Sequence, residues 1–321
     1  MNYDSVRAKV RNKSRESGVK ADVLYRRFLI ERFIARIAAS EHSENVIIKG
    51  GMLLSAIAGI DMRSTRDLDT TIRGKNLTLS DFEGIVKDII AVDIDDGVTF
   101  EFIRADEIVL DSSYPCSRVH LRVLFGNMDE RVELDVTTGD VITPREVEFG
   151  FPTLFGDEKI PILAYPLETV LAEKIAALLD LNVYNTRAKD FYDIHLITAL
   201  QSERVDSEMF ADALQNTLRS RGKSDLLMRS REIVLAIVNS PDIRTQWSRY
   251  RAEYSYASEI DFAQVAAAIN TVFAWIGIEL NIQPVAKTPW TEEILAESKQ
   301  KANNYNHSSL PPTKSNNGQE K

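Results

Sequence analysis

Two short alternating segments constrain this chain more than any other feature. Arg66-Asp67-Leu68-Asp69-Thr70-Thr71-Ile72 and Arg131-Val132-Glu133-Leu134-Asp135-Val136 both read as strands, because their polar and apolar residues follow the two-residue period of a pleat. Asp67 and Asp69 then share one face while Leu68, Thr70 and Ile72 take the other. Glu133 and Asp135 likewise stand opposite Val132, Leu134 and Val136. Like charges side by side repel, so a purely structural role gains nothing from the first pair. A divalent cation removes that penalty, and Asp135 completes a three-carboxylate cluster if the two strands are neighbours. The plain alternatives are a solvated edge-strand pair for Asp67 and Asp69, and a strand-end acid before the turn-like Thr137-Thr138-Gly139 for Asp135.

The surroundings of these strands suggest a small mixed sheet. Val46-Ile47-Ile48 is a short apolar strand running into Lys49-Gly50-Gly51 and a helix from Met52 to Ile60. Glycines between a strand and a helix let backbone N–H groups approach a phosphate, although such a pair is also an ordinary tight turn. Neither GxxxxGK[ST] nor GxGxxG occurs, which excludes P-loop and dinucleotide-binding readings. A helix is expected over Ser80–Val92, with Ser80 and Glu83 as a capping box. Val98–Ile103, Val119–Phe125 and Arg131–Thr137 are expected strands, with a turn at 126–129 between the last two. Beyond Pro166 the pattern becomes helical: Leu167–Leu179, Lys189–Leu200, Ser207–Arg219, Ser224–Asn239 and Phe262–Ile276. The expected class is α+β, a mixed-sheet core with flanking helices followed by a helical C-terminal domain. Expected boundaries are 1–45 for a basic helical segment, 46–160 for the core, 161–284 for the helical domain and 285–321 for a disordered polar tail.

Charge narrows the function. Lys+Arg 39 against Asp+Glu 48 gives a net charge of -9, which argues against a generic nucleic-acid-coating protein. The exception is residues 1–36, whose ten basic and four acidic residues leave +6. That segment is either a solvated helix face or a surface for RNA phosphates, and Arg219-Ser220-Arg221-Gly222-Lys223 poses the same choice. One cysteine and four scattered histidines offer no zinc site. No secretory signal and no run of 18 apolar residues is visible, so a cytoplasmic location is expected.

Two helical motifs complete the set. Along 167–179, Lys174 sits on the border of the apolar face made by Leu167, Val170, Leu171, Ile175 and Leu178, where a lysine can simply snorkel. Asp190 and Asp193 are three apart on the next helix. Asp190 suits a helix start, and Asp193, beside Ile194 and Ile197, needs a cation such as Lys174 or Arg187.

In order, Gly50-Gly51-Met52-Leu53-Leu54, Thr65-Arg66-Asp67-Leu68-Asp69, Glu133-Leu134-Asp135, Glu173-Lys174 and Arg187-Ala188-Lys189-Asp190-Phe191-Tyr192-Asp193 resemble the AbiEii/AbiGii toxin family of nucleotidyltransferases. That family lies within the DNA polymerase beta-like nucleotidyltransferase superfamily. The resemblance implies a toxin of a toxin–antitoxin or phage-defence system that uses Mg²⁺ to move a nucleotide from an NTP to an acceptor, tRNA in similar proteins. It implies Asp67, Asp69 and Asp135 as metal ligands, with Lys174 and Asp193 also catalytic. Gly50, Gly51, Ser64, Thr65, Arg66, Lys174 and Asp190 would hold the NTP, Lys174 by reaching the triphosphate. A cognate antitoxin is the implied partner. Transfer to a small molecule or a protein side chain, and a catalytically silent binding protein, are the rival readings.

Overall fold

Seven strands form one mixed sheet in the computed structural model, which describes residues 2–63, 65, 67–73, 77–108 and 116–280. The expected tail, 285–321, lies outside the described residues, as do Ser64 and Arg66. In chain order the strands are β1 (Val46–Ile48), β2 (Leu68–Ile72), β3 (Val98–Ile108), β4 (Cys116–Phe125), β5 (Met128–Thr138), β6 (Val147–Pro152) and β7 (Lys159–Ala164). Their spatial order is β3-β4-β5-β2-β1-β7-β6. β2 runs parallel to β5 and β1 parallel to β7, while the other neighbours are antiparallel. The expected mixed sheet is therefore present, with its two carboxylate strands adjacent. Gly126, at φ +58°, begins the two-residue turn that closes the β4–β5 hairpin, and Met128, expected in the turn, already pairs with Phe125.

β6 and β7 were not expected from the sequence. Gly150, Pro152 and Pro161 interrupt their apolar runs, which is tolerated here because β6 is an edge strand and Pro161 lies before the β7 residues that pair with β1. β7 runs through the expected boundary at 160/161, so the sheet extends to Ala164.

Gly18, at φ +71°, divides the basic N-terminal segment into α1 (Tyr3–Ser17) and α2 (Ala21–Ala39). α1 buries Val6 and Val10 and leaves Arg7, Lys9, Arg11 and Arg15 exposed. α2 is different, because its Arg27 and Arg36 are buried. Arg27 donates to the Pro152 carbonyl and lies 4.2 Å from the centroid of the Phe151 ring, and Arg36 grips Asp96 through two hydrogen bonds of 2.9 Å. Two of the ten basic residues are thus internal structure.

α3 (Gly50–Ala58) starts at the glycine pair, and the cap of α4 (Leu79–Ala91) is Thr78, two residues before the expected Ser80. Thr78 accepts from the Asp81 N–H while Asp81 accepts from that of Thr78, so this pair, not Ser80 and Glu83, forms the capping box. α5 (Leu167–Leu181), α6 (Ala188–Gln201) and α7 (Ser207–Ser220) agree with the expected helices. The single helix expected over 224–239 is broken at Arg229 into α8 (Asp225–Met228) and α9 (Ser230–Asn239). α10 (Pro241–Glu253) was missed, although Ser240 as cap, Pro241 at the first turn and buried Ile243, Trp247 and Tyr250 at helical spacing all signal it. α11 (Phe262–Trp275) closes the described chain, in which no helix is long and apolar enough to cross a membrane.

Candidate active site

The parallel pairing of β2 with β5 sets Asp69 directly opposite Asp135. β4 then sets Arg118 opposite Asp135, and β3 sets Asp106 opposite Arg118, so a row of charged residues crosses four strands. Arg118 binds both Asp135 oxygens, at 2.8 and 2.9 Å, and approaches Glu133 at 3.7 Å. Asp67 stands just before β2, beside the same cleft. Asp69 is half-buried. Desolvation raises its pKa, the charges of Asp135 and Asp67 push it further, and Lys189 and Lys49 oppose them.

Gly50 and Gly51 form the floor. Gly50 holds φ +63°, and a Cβ on it would collide with the Asp69 carboxylate. A Cβ on Gly51 would lie 2.9 Å from Arg63 Nη2 and 3.3 Å from Thr65 Oγ1. Gly50 therefore needs glycine, and Gly51 is tight against the ends of two side chains, because groups of the cleft press on the backbone at the α3 N-terminus. The plain-turn reading does not account for that crowding.

The opposite wall comes from α5 and α6. Lys174 Nζ donates to Asp190 Oδ1 at 2.9 Å and lies 2.7 Å from Asp193 Oδ2, while Arg63 Nε donates to Asp193 Oδ1 at 2.6 Å. Asp193 is fully buried. Burial alone would raise its pKa, but Arg63 and Lys174 outweigh burial and hold it low. Burial would likewise lower Lys174, and Asp190 and Asp193 reverse that shift. Lys174 is therefore neither snorkelling nor extended toward open cleft. The lysine expected as the Asp193 partner is confirmed, and Arg63 is a second partner that went unforeseen. Asp190 contacts Lys174 through its side chain, and α6 has no side-chain cap.

A third cluster flanks the floor. Lys49 donates to Thr137 at 2.8 Å and to Asp140, which also accepts from Tyr165 at 2.8 Å. Burial would lower the Lys49 pKa, but Glu173 and Asp140 raise it. Desolvation raises Glu173 itself. Arg221, read in the sequence as one of a basic cluster for RNA, approaches Glu173 at 3.8 Å and has a buried Nε without a hydrogen-bond partner. Its neighbour Lys223 pairs with Asp180 at 2.9 Å.

A cleft of about 380 Å³ gathers these groups, among them Gly50, Gly51, Thr65, Asp67, Asp69, Asp135, Lys174, Asp190 and Asp193. Every described residue expected at the site is thus in one place. Lys49, Arg63, Arg118, Asp140, Glu173, Lys189 and Arg221 join them unpredicted. The oxygens of Asp67, Asp69 and Asp135 do not all approach within 4.8 Å of one another. Among the described residues the one such trio is Glu41, His42 and Asp88, which does not line the cleft.

Residues 32–284 match the family described as nucleotidyl transferase AbiEii toxin, type IV toxin–antitoxin system. Among solved structures, a nucleotidyltransferase candidate from H. pylori is 16% identical with a TM-score of 0.47, covering 89% of this chain and 98% of that one. JHP933 from Helicobacter pylori is 16% identical with a TM-score of 0.44, over 90% and 97%. Comparison with curated proteins finds no match.

Proposed function

Because the chain belongs to the AbiEii family of nucleotidyl transferase toxins, it is a nucleotidyltransferase of a toxin–antitoxin system, and we propose that it moves a nucleotide from an NTP to a hydroxyl of tRNA. The observation that carries this reading is the Asp69–Asp135 register facing the glycine floor of α3. Hard carboxylate oxygens suit Mg²⁺, and a desolvated Asp69 beside two further aspartates is stabilised by a cation. Asp67, Asp69 and Asp135 have the donor chemistry to hold the ion, although their oxygens stand apart here and Arg118 competes for Asp135. Bound there, Mg²⁺ supplies charge neutralisation for the phosphates and the attacking oxygen.

This chain's own groups do the rest. Backbone N–H groups at Gly50 and Gly51, with Thr65 and Arg221, hold the triphosphate, and Lys174, paired with Asp190 and Asp193, adds positive charge from the cleft wall. The acceptor oxygen forms a bond to the α-phosphorus as the bond to pyrophosphate breaks, and Asp135 orients the hydroxyl and takes its proton. Asp190 and Asp193 hold Lys174 at the cleft wall. Such a toxin acts where NTPs and tRNA occur, in the cytoplasm, and a cognate antitoxin restrains it. Incubation with Mg²⁺, each labelled NTP in turn and total tRNA tests the reading: label is expected on tRNA, and label on another acceptor or on nothing overturns it.

A further inference from the structure

Beside the cleft lies a second, larger chamber of about 990 Å³, and Arg63, Thr65, Asp67, Arg187 and Lys189 line both. Gly50, Gly51, Asp69 and Asp135 are not among its described lining residues, so the chamber begins where the carboxylates and the phosphate floor end. Its far wall is aromatic, with the cation Arg249 and the carboxylate Glu253 beside the rings and Asp61 also in the lining. Tyr250, Tyr254 and Tyr256 come from the end of α10 and the turn after it, and Arg249 and Lys20 stand exposed at the rim. Tyr250 is buried against Trp247, with centroids 5.6 Å apart, and forms the base of the wall. Tyr254 and Tyr256 lean on it and on each other, 5.3 Å apart and tilted by 30°, and both remain half-buried.

On a protein of net charge -9, half-open tyrosine rings in a lining where five arginines and lysines outnumber three carboxylates, beside the reactive groups, make a surface for flat, anionic matter. Aromatic faces take any base, and interleaved cations take the phosphates between bases. We propose that this chamber is the acceptor subsite, in which Tyr254 and Tyr256 stack on unpaired bases next to the reacting hydroxyl while Arg249 and Lys20 hold the adjoining phosphates. The assignment rests on the reading of RNA as acceptor and adds to it. The enzyme takes an unstacked, single-stranded segment, because a paired base has no free face to offer these rings.

Anisotropy with a short fluorescein-labelled single-stranded RNA and with a blunt hairpin of the same composition tests the site, alongside titration with each NTP. The single strand is expected to bind more tightly than the hairpin. Tyr254→Ala and Tyr256→Ala should each weaken it by about tenfold, Tyr254→Phe should retain it, NTP affinity should hold in all three, and melting temperature should hold in the Tyr254 variants while falling in Tyr256→Ala, whose ring also packs on Tyr192. Arg249→Ala should flatten the salt dependence of RNA binding. If the alanine variants bind the strand as the parent does, or if Tyr254→Phe fails as badly as Tyr254→Ala, the stacking site is overturned. Parent protein that labels tRNA while all tyrosine variants label it equally fails this proposal and leaves the function standing. Parent protein that labels only a non-RNA acceptor fails both.

Discussion

Asp69 and Asp135 stand opposite each other in parallel register, and each carboxylate is occupied differently: Arg118 grips Asp135 from the neighbouring strand, while Gly50 crowds Asp69 from below. One carboxylate is satisfied and the other is desolvated, with a raised pKa. That asymmetry separates what the pair does for catalysis from what it does for folding.

Asp69→Asn is therefore expected to abolish nucleotidyl transfer without unfolding the protein. Removing a charge that burial disfavours should leave the thermal midpoint unchanged or higher at neutral pH. Melting curves and the tRNA-labelling assay on the same preparation check both halves, and retained transfer would remove Asp69 from the metal site.

Gly50→Ala should lose transfer for a steric reason. Its left-handed φ costs a residue with a Cβ about 1–2 kcal/mol, and the added methyl meets the Asp69 carboxylate. Urea denaturation should report that loss of stability, with transfer reduced further than the unfolded fraction explains. Normal transfer by a stable Gly50→Ala protein would show that the floor does not need glycine.

How far the sequence reaches is visible in these residues. Alternation assigns Asp67, Asp69 and Asp135 to faces, because the period of a strand is local. It does not say which strands pair; here β2 and β5 are joined through three intervening elements. Arg63 was invisible as a site residue because its partner, Asp193, is 130 positions away. Arg27 and Arg36 counted as surface charge in the sequence, and only tertiary structure shows a carbonyl, a ring and Asp96 absorbing them. β6 and β7 were hidden by the glycines and prolines that an edge position permits.

Lys174→Met should impair folding as well as NTP binding, because the lysine bridges two buried carboxylates instead of lying on a helix border. Leaving Asp193 with Arg63 alone and Asp190 without its cation should cost about 3 kcal/mol. Chemical denaturation and NTP titration measure the two effects. A stability equal to the parent's would show that the bridge is dispensable to the fold.

The acid limb of stability should depend on Asp193. Its folded pKa lies below the ordinary 3.8, so between these values the unfolded chain binds more protons than the native one. The stabilisation is then fully present above about 3.8 and is lost as pH falls through the depressed folded value. Asp193→Asn should lower stability at neutral pH, since it strands Arg63 and Lys174, and flatten the acid limb. Denaturation midpoints across pH check this, and an unchanged limb would assign acid unfolding to other carboxylates.

The last prediction concerns α1, whose arginines keep their charge available because Val6 and Val10 alone bury the helix. Arg7, Arg11 and Arg15 are exposed, and the segment leads through Ser17 to Lys20 at the rim of the tyrosine-walled chamber. A strand entering that chamber has this helix as a basic approach on an otherwise acidic protein. Replacing the three arginines with glutamate should weaken RNA binding at low salt and flatten its salt dependence, by roughly one unit of slope per phosphate contact removed. NTP affinity should be unaffected, because none of the three lines the cleft. Anisotropy with single-stranded RNA over a salt series reads the slope directly. A parental slope in the triple variant would make α1 a solvated face and leave RNA phosphates to Arg249, Arg187 and Lys189 within the chamber.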